Sequence, residues 1–328
     1  MVIDCHVHLS ATTPGRGVMS EKLLRSPQFK FLRWKFGLDP AGEAFDSGIE
    51  RTLVEQINEA VELDAAVVLA FDAVYTTDGQ RDDRQTHLYI SNDAVADLAS
   101  RNPKVLFGAS VHPYRKDAIQ ELERCIALGA VLVKWLPITQ GIDPSDRRCF
   151  AFYEALAHHG IPLLSHTGGE AMLPNVNSCA DPALLMPALR RGVTVIAAHC
   201  GTPAFNGRQN YFDSWCRLAL EHEHLYGDTA ALNLPRRSAA YRRLLADSRL
   251  RAKVVHGSDW PVMPIPPLTQ LGPAATIHLM EQRNWLRRDV QIKRRLGFDD
   301  AYFNRGATLL RLPPNRRPGV GISPPPVV

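Results

Sequence analysis

Eight short runs of apolar residues recur along the chain, and segments with the spacing of amphipathic helices separate them. The runs are rich in Val, Ile and Leu and do not alternate strictly with polar residues. This pattern is typical of parallel strands that are buried on both faces. We therefore predict strands over residues 2–9, 65–75, 105–113, 130–137, 162–167, 194–200, 225–231 and 253–258.

The segments between the runs carry residues that begin and end helices. Asp117 precedes apolar residues at helical spacing, and Gly129 follows them. Asp181 and Pro182 open another segment, which ends near Gly192. These positions predict a helix in each segment.

Apolar stripes indicate two further helices. One stripe precedes the second strand and consists of Ile49, Leu53, Ile57 and Val61. Another precedes Gly160 and consists of Phe152, Tyr153 and Leu156. Strands that alternate with helices for eight rounds in 328 residues predict a (β/α)8 fold, the TIM barrel. We find no boundary inside it and expect residues 1–312 to form a single domain.

Two regions fall outside this repeat. Residues 10–48 form a long, partly helical excursion after the first strand, with an aromatic and basic segment at 29–36. The excursion is too long for a plain barrel loop and too aromatic to be disordered. We expect it to pack over the barrel mouth or, alternatively, against the barrel's side. Residues 313–328 are rich in proline, which predicts an extended or disordered tail.

Composition and charge favour a globular protein that binds neither nucleic acid nor membrane. The 328 residues are 45% apolar and 22% charged, and the net charge is +4 with both signs interspersed. We interpret the densest basic segment, 287–295, as the solvated face of a helix. No secretory leader or membrane-length apolar run is visible, so we expect a cytoplasmic protein.

The six cysteines show neither C-x-x-C spacing nor the density of a disulfide scaffold. Cys5 and Cys200 each lie beside a candidate metal ligand, but strand alternation would aim their side chains away from it. We expect buried, reduced thiols.

The candidate chemistry begins in the first strand, where His6 and His8 flank Val7. Alternate side chains of a strand share a face, so the two imidazoles should point the same way, opposite to Val7 and Cys5. Two imidazoles on one face suit a divalent transition metal.

Later strands end in residues that suit the same site, at the strand ends where barrel enzymes keep their active sites. These residues are Lys134, His166, His199 and Asp259, on the fourth, fifth, sixth and eighth strands. Closure of the barrel would make the eighth strand a neighbour of the first and bring Asp259 beside the histidine pair. A single histidine is usually a hydrogen-bonded core residue, but the combined set predicts a metal site.

This set of residues resembles that of the amidohydrolase superfamily of metal-dependent TIM-barrel hydrolases. The resemblance is to its amidohydrolase-related branch, which includes aminocarboxymuconate semialdehyde decarboxylase-like enzymes, and it covers nearly the whole chain. It extends from the segment DCHVH at 4–8 to the segment GSDWP at 257–261. The resemblance implies that the buried metal is bound by His6, His8 and Asp259. It also implies that His166 and His199 bind a second metal or, in mononuclear members, the single metal or the substrate.

Lys134 bears on the number of metals. The resemblance implies that in binuclear members this lysine is carboxylated by CO2 and bridges the two ions. Alternation places Leu132, Lys134 and Leu136 on one face and Val133 and Trp135 on the other, so Lys134 can point inward. In so apolar a strand it needs a partner or a modification, because a buried unpaired ammonium is costly. The alternative is a lysine at the mouth that binds a substrate anion or an acidic side chain.

These residues predict metal-activated attack by water. A bound divalent ion lowers the pKa of its water toward ~7. Asp259 would take the proton and return it to the leaving group, while a metal or His199 polarises the scissile carbonyl. We predict a hydrolase that cleaves an ester, lactone or amide of a small carboxylated or aromatic acid. It would use one or two ions, Zn²⁺ or alternatively Mn²⁺.

Two other functions compete with hydrolysis, namely decarboxylation and binding without catalysis. The alternative within the family is a metal-dependent non-oxidative decarboxylase, in which His199 and loop arginines hold a substrate carboxylate. Lys134 favours hydrolysis, because the resemblance associates decarboxylation with one metal and no bridging lysine. A catalytically silent binding protein would lack ligand residues, and none is missing. A homodimer is compatible with the resemblance, although no interface is visible in the sequence.

Loop arginines are further candidates for contact with a substrate carboxylate. They are Arg81 and Arg84 after the second strand and Arg236 and Arg237 after the seventh. Arginines on loops are usually solvated.

The remaining polar candidates have supporting roles. His112, which precedes Arg115, could contact substrate, but a helix-capping or supporting role is favoured. Asp72 and Asp228 are predicted to accept hydrogen bonds from other site residues. His256 has the wrong parity relative to Asp259 and is not predicted to join the site.

Overall fold

The apolar runs form eight parallel strands that pair in chain order around one sheet. The chain is represented by a computed structural model that describes residues 1–170, 177–204 and 209–313. The strands are β1 (Ile3–His8), β2 (Ala65–Leu69), β3 (Val105–Ala109), β4 (Leu132–Trp135), β5 (Leu163–His166), β6 (Val195–Ala198), β7 (Leu225–Asp228) and β8 (Val254–Val255).

The sheet closes through the residues that follow β8. The backbone N–H of Cys5 donates to the carbonyl of His256 at 3.0 Å, and that of His8 donates to the carbonyl of Trp260 at 2.7 Å. A parallel bridge joins Val7 to Trp260. The prediction of a TIM barrel is therefore confirmed. The eighth strand is shorter than predicted because its continuation turns toward β1.

Helices follow the strands and cover the outside of the barrel. The longer ones are Pro27–Phe36, Gly42–Glu59, Asn92–Arg101, Ala118–Ala127, Phe150–His159, Phe212–Glu221, Ala240–Ala246, Pro273–Glu281 and Trp285–Leu296. The short α-helices are Glu21–Leu24, Pro137–Gln140, Met186–Leu189, Ser248–Arg251, Leu268–Leu271, Asp300–Asn304 and Gly306–Leu309. Short 3-10 helices lie at Arg147–Cys149, Asn177–Ala180, Pro182–Leu185 and His199–Gly201.

The predicted helix boundaries are confirmed where the sequence carries a cap or a stop. Ala118–Ala127 begins directly after Asp117. Phe150–His159 ends at Gly160, which adopts the left-handed conformation. Asp181 caps Pro182–Leu185, but that segment is a 3-10 helix followed by a single α-helical turn.

The stripe before the second strand is confirmed except at its last member. Ile49, Leu53 and Ile57 are fully buried in Gly42–Glu59. Val61 lies beyond the end of this helix and is 74% exposed, so its assignment to the stripe was wrong.

Alternation along the strands separates two cores. Val133 and Trp135 pack in a large outer cluster between the strands and the helices. Leu132 and Leu164 pack in a smaller cluster inside the barrel. At the amino-terminal ends of the strands this inner cluster is closed by Ala307, Leu310 and Leu312. The opposite, carboxyl-terminal end of the barrel carries the polar residues.

A β-bulge in β1 corrects the predicted direction of Cys5. The pairing of β1 with β2 shifts register between Asp4 and Val7. Cys5 consequently packs in the inner cluster although Val7, two residues later, packs in the outer one. The extra residue of a bulge breaks the two-residue period on which the prediction rested. The expectation of buried free thiols is confirmed for all six cysteines.

The excursion after β1 is partly helical, as predicted, and it packs mainly on the barrel's side. A short strand, Gly17–Met19, pairs with Leu88–Ile90. In helix Pro27–Phe36, the ring of Phe29 lies 5.3 Å from that of Phe45 in the outer cluster. Phe36 reaches the rim, with its ring centroid 6.0 Å from that of Trp260. The predicted tail lies outside the described residues apart from its first residue, Pro313.

The densest basic segment is helical, and its interpretation as a solvated face holds for the exposed Arg294 and Arg295 but was wrong for Arg288 and Lys293. Helix Trp285–Leu296 buries Arg288 and Lys293, which are 4% and 0% exposed. Arg288 donates to the backbone carbonyls of Met280 and Gln282. This helix therefore turns charged groups toward the barrel.

Candidate metal centre

Two histidines and an aspartate converge at the carboxyl-terminal end of the barrel. His6 Nε2 lies 3.1 Å from His8 Nε2 and 3.3 Å from Asp259 Oδ1. His8 Nε2 lies 3.2 Å from the same carboxylate oxygen. The proximity predicted from barrel closure is therefore present in the structure.

The triangle of donor atoms fits a divalent transition metal. Ligand atoms roughly 2.0–2.1 Å from a tetrahedral zinc ion lie about 3.3 Å from one another. The three edges between His6 Nε2, His8 Nε2 and Asp259 Oδ1 match this spacing. Imidazole nitrogen and carboxylate oxygen are also the ligand types that such ions prefer in proteins.

Asp259 reaches this position through an unusual backbone conformation. Its φ is +66°, in the left-handed region, and its N–H donates to the carbonyl of His6 at 2.8 Å. His199, at the end of β6, is also left-handed with a φ of +60°. Non-glycine residues pay a strain penalty in this region, and such strain is concentrated at functional sites.

Close packing beside Asp259 requires a glycine. A Cβ atom on Gly257 would lie 2.9 Å from the Cβ of His6. The backbone after β8 can therefore approach β1 closely only without a side chain at this position.

Asp228 orients His6, in the accepting role predicted for it. His6 Nδ1 donates to Asp228 Oδ2 at 2.7 Å, and both side chains are fully buried. The other carboxylate oxygen accepts from the backbone N–H of His199 at 2.7 Å and of Ala230 at 3.1 Å. A carboxylate on one imidazole nitrogen leaves the other nitrogen as a lone-pair donor for a metal.

His166 and His199 lie beside the triangle, and both are buried. The ring centroid of His199 is 5.3 Å from that of His6 and 4.8 Å from that of His166. His199 Nδ1 donates to the carbonyl of Ala230 at 2.8 Å, so its Nε2 keeps a lone pair. His166 Nε2 is buried without a hydrogen-bond partner among the described residues.

Lys134 points into the barrel as alternation predicts, and it is 1% exposed. Its Nζ lies 3.0 Å from His6 Nε2. Burial lowers the pKa of Lys134 to about 8, although Asp228 and Asp259 oppose this shift. A lysine with this pKa carries a sizeable unprotonated fraction near neutral pH, and only the unprotonated amine can react with CO2.

Burial also decides the charge of the other site residues. The pKa values of His6, His166 and His199 are held well below the ordinary value, mainly because these imidazoles are buried. Burial alone would raise the pKa of Asp259, but the nearby His6 and a hydrogen bond from His8 lower it. Burial therefore favours the neutral form of His6, His166 and His199, while the surroundings of Asp259 favour its ionised form.

The four loop arginines differ in their exposure to solvent. Arg81, Arg84 and Arg236 are exposed. Arg237 is 7% exposed, and it donates to the carbonyls of Gly169 at 2.8 Å and Pro203 at 3.1 Å. No carboxylate within the described ranges forms a salt bridge with it. The sequence offers no signal that distinguishes Arg237 from its neighbour.

The ring of His112 is fully buried, and the supporting role favoured for it stays a prediction. Its Nε2 donates to the carbonyl of Gln140 at 3.0 Å, and its Nδ1 accepts from the N–H of Tyr114 at 3.1 Å. Asp72 accepts from the N–H of His112 at 2.8 Å and pairs with Arg115 at 3.2 Å. Both ring nitrogens of His112 are thus already engaged in hydrogen bonds within the protein.

A protein-family model and several solved structures are similar to this chain. A protein-family model described as amidohydrolase matches residues 3–279. No curated protein matches the chain. In the described part of the chain, the helices are all too short or too polar to cross a membrane.

Solved structures share the fold over nearly the whole chain. An uncharacterized TIM-barrel protein from Bordetella bronchiseptica is 19% identical, with a TM-score of 0.57 and coverage of 90% of this chain and 99% of that one. A probable 2-pyrone-4,6-dicarboxylic acid hydrolase from Acinetobacter baumannii is 15% identical, with a TM-score of 0.51 and coverage of 90% and 99%. A 5-carboxyvanillate decarboxylase from Sphingomonas paucimobilis is 13% identical, with a TM-score of 0.50 and coverage of 91% and 99%. At these identities the similarity establishes the fold.

Proposed function

This chain belongs to the amidohydrolase family, and from that membership we propose that it is a metal-dependent hydrolase. Its substrate on this proposal is a small organic acid that contains an ester, lactone or amide bond. The observation that carries the proposal is the convergence of His6 Nε2, His8 Nε2 and Asp259 Oδ1 within 3.3 Å, beside Lys134.

The three converging residues would hold one divalent ion, for which we propose Zn²⁺, with Mn²⁺ as the alternative. Such an ion supplies Lewis acidity and lowers the pKa of a bound water toward ~7. A second ion would be held by His166 and His199 together with a carboxylated Lys134. With a single ion, these residues would instead face the substrate.

Asp259 is proposed as the group that moves the proton. It is ionised because neighbouring His6 and His8 oppose the effect of burial on its pKa. An ionised carboxylate at the reacting centre can accept a proton from the attacking water and return it to the leaving group.

His199 is proposed to act through the lone pair of Nε2. Because Nδ1 donates to Ala230, the neutral ring can bind a metal or accept a proton at Nε2. It can donate to a scissile carbonyl only when protonated, and burial opposes that protonation. This favours a ligand or proton-accepting role over the carbonyl-polarising role considered from the sequence.

Arg237 is proposed to bind a substrate carboxylate. Its guanidinium is buried beside the site and forms no salt bridge in the described structure, although the nearby Asp259 and Glu170 oppose the effect of burial on its pKa. Arginine presents several N–H donors in a planar fork that matches a carboxylate. A carboxylated substrate would supply a direct ion-pair partner.

Decarboxylation is the competing reaction, since the family includes both hydrolases and decarboxylases. The two reactions differ in their products. Hydrolysis adds the oxygen of water to the product, whereas decarboxylation releases CO2.

The distinguishing experiment uses zinc-loaded protein in H2¹⁸O. The substrate panel includes 2-pyrone-4,6-dicarboxylate, 5-carboxyvanillate, and further lactones and amides of carboxylated acids. We expect a product with one ¹⁸O atom, lost in Asp259→Asn and retained in Asp72→Asn, a buried aspartate outside the donor triangle. Release of CO2 without ¹⁸O incorporation would establish the decarboxylase instead.

We also propose a reducing compartment, such as the cytoplasm, and a homodimer. Six buried free cysteines suit a reducing environment. The homodimer is proposed from the family resemblance, and light scattering on the purified chain tests it.

A further inference from the structure

Helix Trp285–Leu296 contributes a buried ion pair beside the turn at residues 256–259, which carries Asp259. Asp289 and Lys293 are one helical turn apart and are 1% and 0% exposed. Lys293 Nζ donates to Asp289 Oδ2. Buried charges are tolerated only when their remaining hydrogen-bonding capacity is used, so the other partners of this pair show what it holds in place.

Lys293 holds the turn that carries Asp259. Its Nζ donates to the backbone carbonyl of Gly257 at 2.6 Å, two residues before Asp259. No residue of this turn belongs to a regular strand. The backbone on either side of Gly257 is bonded to β1, through the His256 carbonyl and the Asp259 N–H, and the contact with Lys293 adds a side-chain bond at Gly257 between these two points.

Asp4 holds the same turn from the side of β1. Its Oδ1 accepts from the N–H of Ser258 at 2.9 Å and from the N–H of His6 at 3.1 Å. His256 lies between the two carboxylates, with Nε2 3.9 Å from Asp4 Oδ2 and Nδ1 3.8 Å from Asp289 Oδ2. The turn is thus held by side chains on both flanks.

Asp289 links this arrangement to the loop after β7. Its Oδ1 accepts from Asn233 Nδ2, and Asn233 Oδ1 accepts from the hydroxyl of Tyr241 at 2.9 Å. Asn233 precedes the buried Arg237 by four residues. The ion pair therefore contacts both the turn that carries Asp259 and the loop after β7 that carries Arg237.

We propose that Lys293, together with Asp289, is a positioning residue that sets the metal affinity of the His6, His8 and Asp259 site. The inference rests on the metal centre of the proposed function and adds a determinant outside its donor atoms. Lys293 holds the Gly257 carbonyl, and this keeps Asp259 in its left-handed conformation with Oδ1 facing the two imidazoles. Without Lys293 the turn relaxes toward ordinary backbone angles, and Oδ1 leaves the triangle.

The test is the Zn²⁺ affinity of the full chain, measured by competition with a chromophoric chelator. Groups that orient metal ligands typically contribute about 10–100-fold in affinity. We expect a loss of this size in Lys293→Met. Lys293→Gln keeps one N–H donor for the Gly257 carbonyl, so its affinity should lie closer to that of the native chain. If Lys293→Met does not fold, the zinc affinity of Lys293→Gln, compared with that of the native chain, tests the proposal.

Arg288→Met is the matched control. Arg288 is a buried cation on the same helix that donates to the carbonyls of Met280 and Gln282 and, at 3.5 Å, of Pro264, but not to the Gly257 carbonyl. We expect it to lower the melting temperature of the metal-free chain and to leave zinc affinity within about threefold. The free energy of unfolding of each metal-free variant is measured as well, so that a loss of stability can be distinguished from a loss of zinc affinity.

The outcomes separate this inference from the proposed function. If the native chain binds Zn²⁺ and folded Lys293→Met binds it equally well, the positioning role is wrong and the metal centre stands. Equal losses in Lys293→Met and Arg288→Met would also overturn it, since the effect would then be general. A native chain that binds no Zn²⁺ would contradict the proposed function and this inference together.

Discussion

At the scale of single residues, Asp228 decides which nitrogen of His6 faces the other ligands. It accepts the Nδ1 proton of His6, which leaves Nε2 unprotonated toward His8 and Asp259. In Asp228→Asn, the amide can donate to Nδ1 and thereby favour the tautomer protonated at Nε2, which cannot bind a metal. We expect zinc affinity to fall about 10–100-fold, as measured by chelator competition. Asp72→Asn, at another strand end, is the control, and equal affinities of the two variants would refute this role.

Lys134 illustrates a residue that is kept at a cost to stability. Its pKa is lowered from 10.5 to about 8 by burial, so the unfolded chain binds more protons than the folded chain between these values. The cost in folding free energy is at its full value below about pH 8. It disappears as the pH rises past 10.5, the pKa of the lysine in the unfolded chain. Replacement by methionine removes the buried charge and keeps most of the side-chain volume.

We therefore expect metal-free Lys134→Met to be more stable than the native chain by about 2–3 kcal/mol at pH 7. The gain should fall to about half at pH 9.5. Urea unfolding in the presence of a chelator measures both values. A variant that is less stable than the native chain at pH 7 would show that Lys134 is well paired when buried.

Residue-level prediction from the sequence worked where alternation holds. The inward direction of Lys134 and the accepting role of Asp228 both follow from position along a strand. The direction of Cys5 did not, because a bulge adds a residue and the sequence carries no mark of it. Arg236 and Arg237 are adjacent and chemically identical, and only the path of their loop buries one of them.

At the scale of elements, the excursion after β1 contributes packing at the rim of the barrel. Phe36 contacts both Trp260 and Trp285, with ring centroids 6.0 and 4.8 Å away. Phe31, on the same helix, is 39% exposed. Phe36→Ala should lower the free energy of unfolding by about 2–3 kcal/mol, while Phe31→Ala should change it by less than about 0.5 kcal/mol. Equal effects in urea unfolding would contradict this packing.

Helix Trp285–Leu296 shows how an element can be predicted correctly and its environment wrongly. The basic stretch suggested a solvated face. Leu286, Asp289, Val290 and Lys293 nevertheless share one face at helical spacing, and that face is buried. Acidic and basic residues one turn apart between apolar neighbours were the available signal. A solvated helix produces similar spacing, so only the packed structure separates the two cases.

At the scale of the whole molecule, the barrel and the neighbourhood of the site are predictable from the order of the elements. Eight alternating units close into a barrel, and closure brings Asp259 to His6 and His8. The substrate is not predictable in this way. The loops at the strand ends have conformations that depend on long-range contacts, such as that of Arg237 with Gly169.

Metal binding should stabilise the entire fold. An ion that binds only the folded chain adds about 2.7 kcal/mol at a free concentration one hundred times its Kd. We expect Zn²⁺ to raise the unfolding free energy of the native chain accordingly and to have no effect on a His8→Ala, Asp259→Ala double variant. The same stabilisation in both chains would place the ion elsewhere.

The proposed metal centre is tested most directly by the metal content of the full chain, measured by elemental analysis after expression with added zinc and purification without a chelator. We expect at least about one ion per chain in the native protein and in Asp72→Asn, and loss of that ion in the His8→Ala, Asp259→Ala double variant. About two ions would further support a carboxylated Lys134. A native chain without metal, or a double variant that retains all of it, would contradict the proposed metal centre.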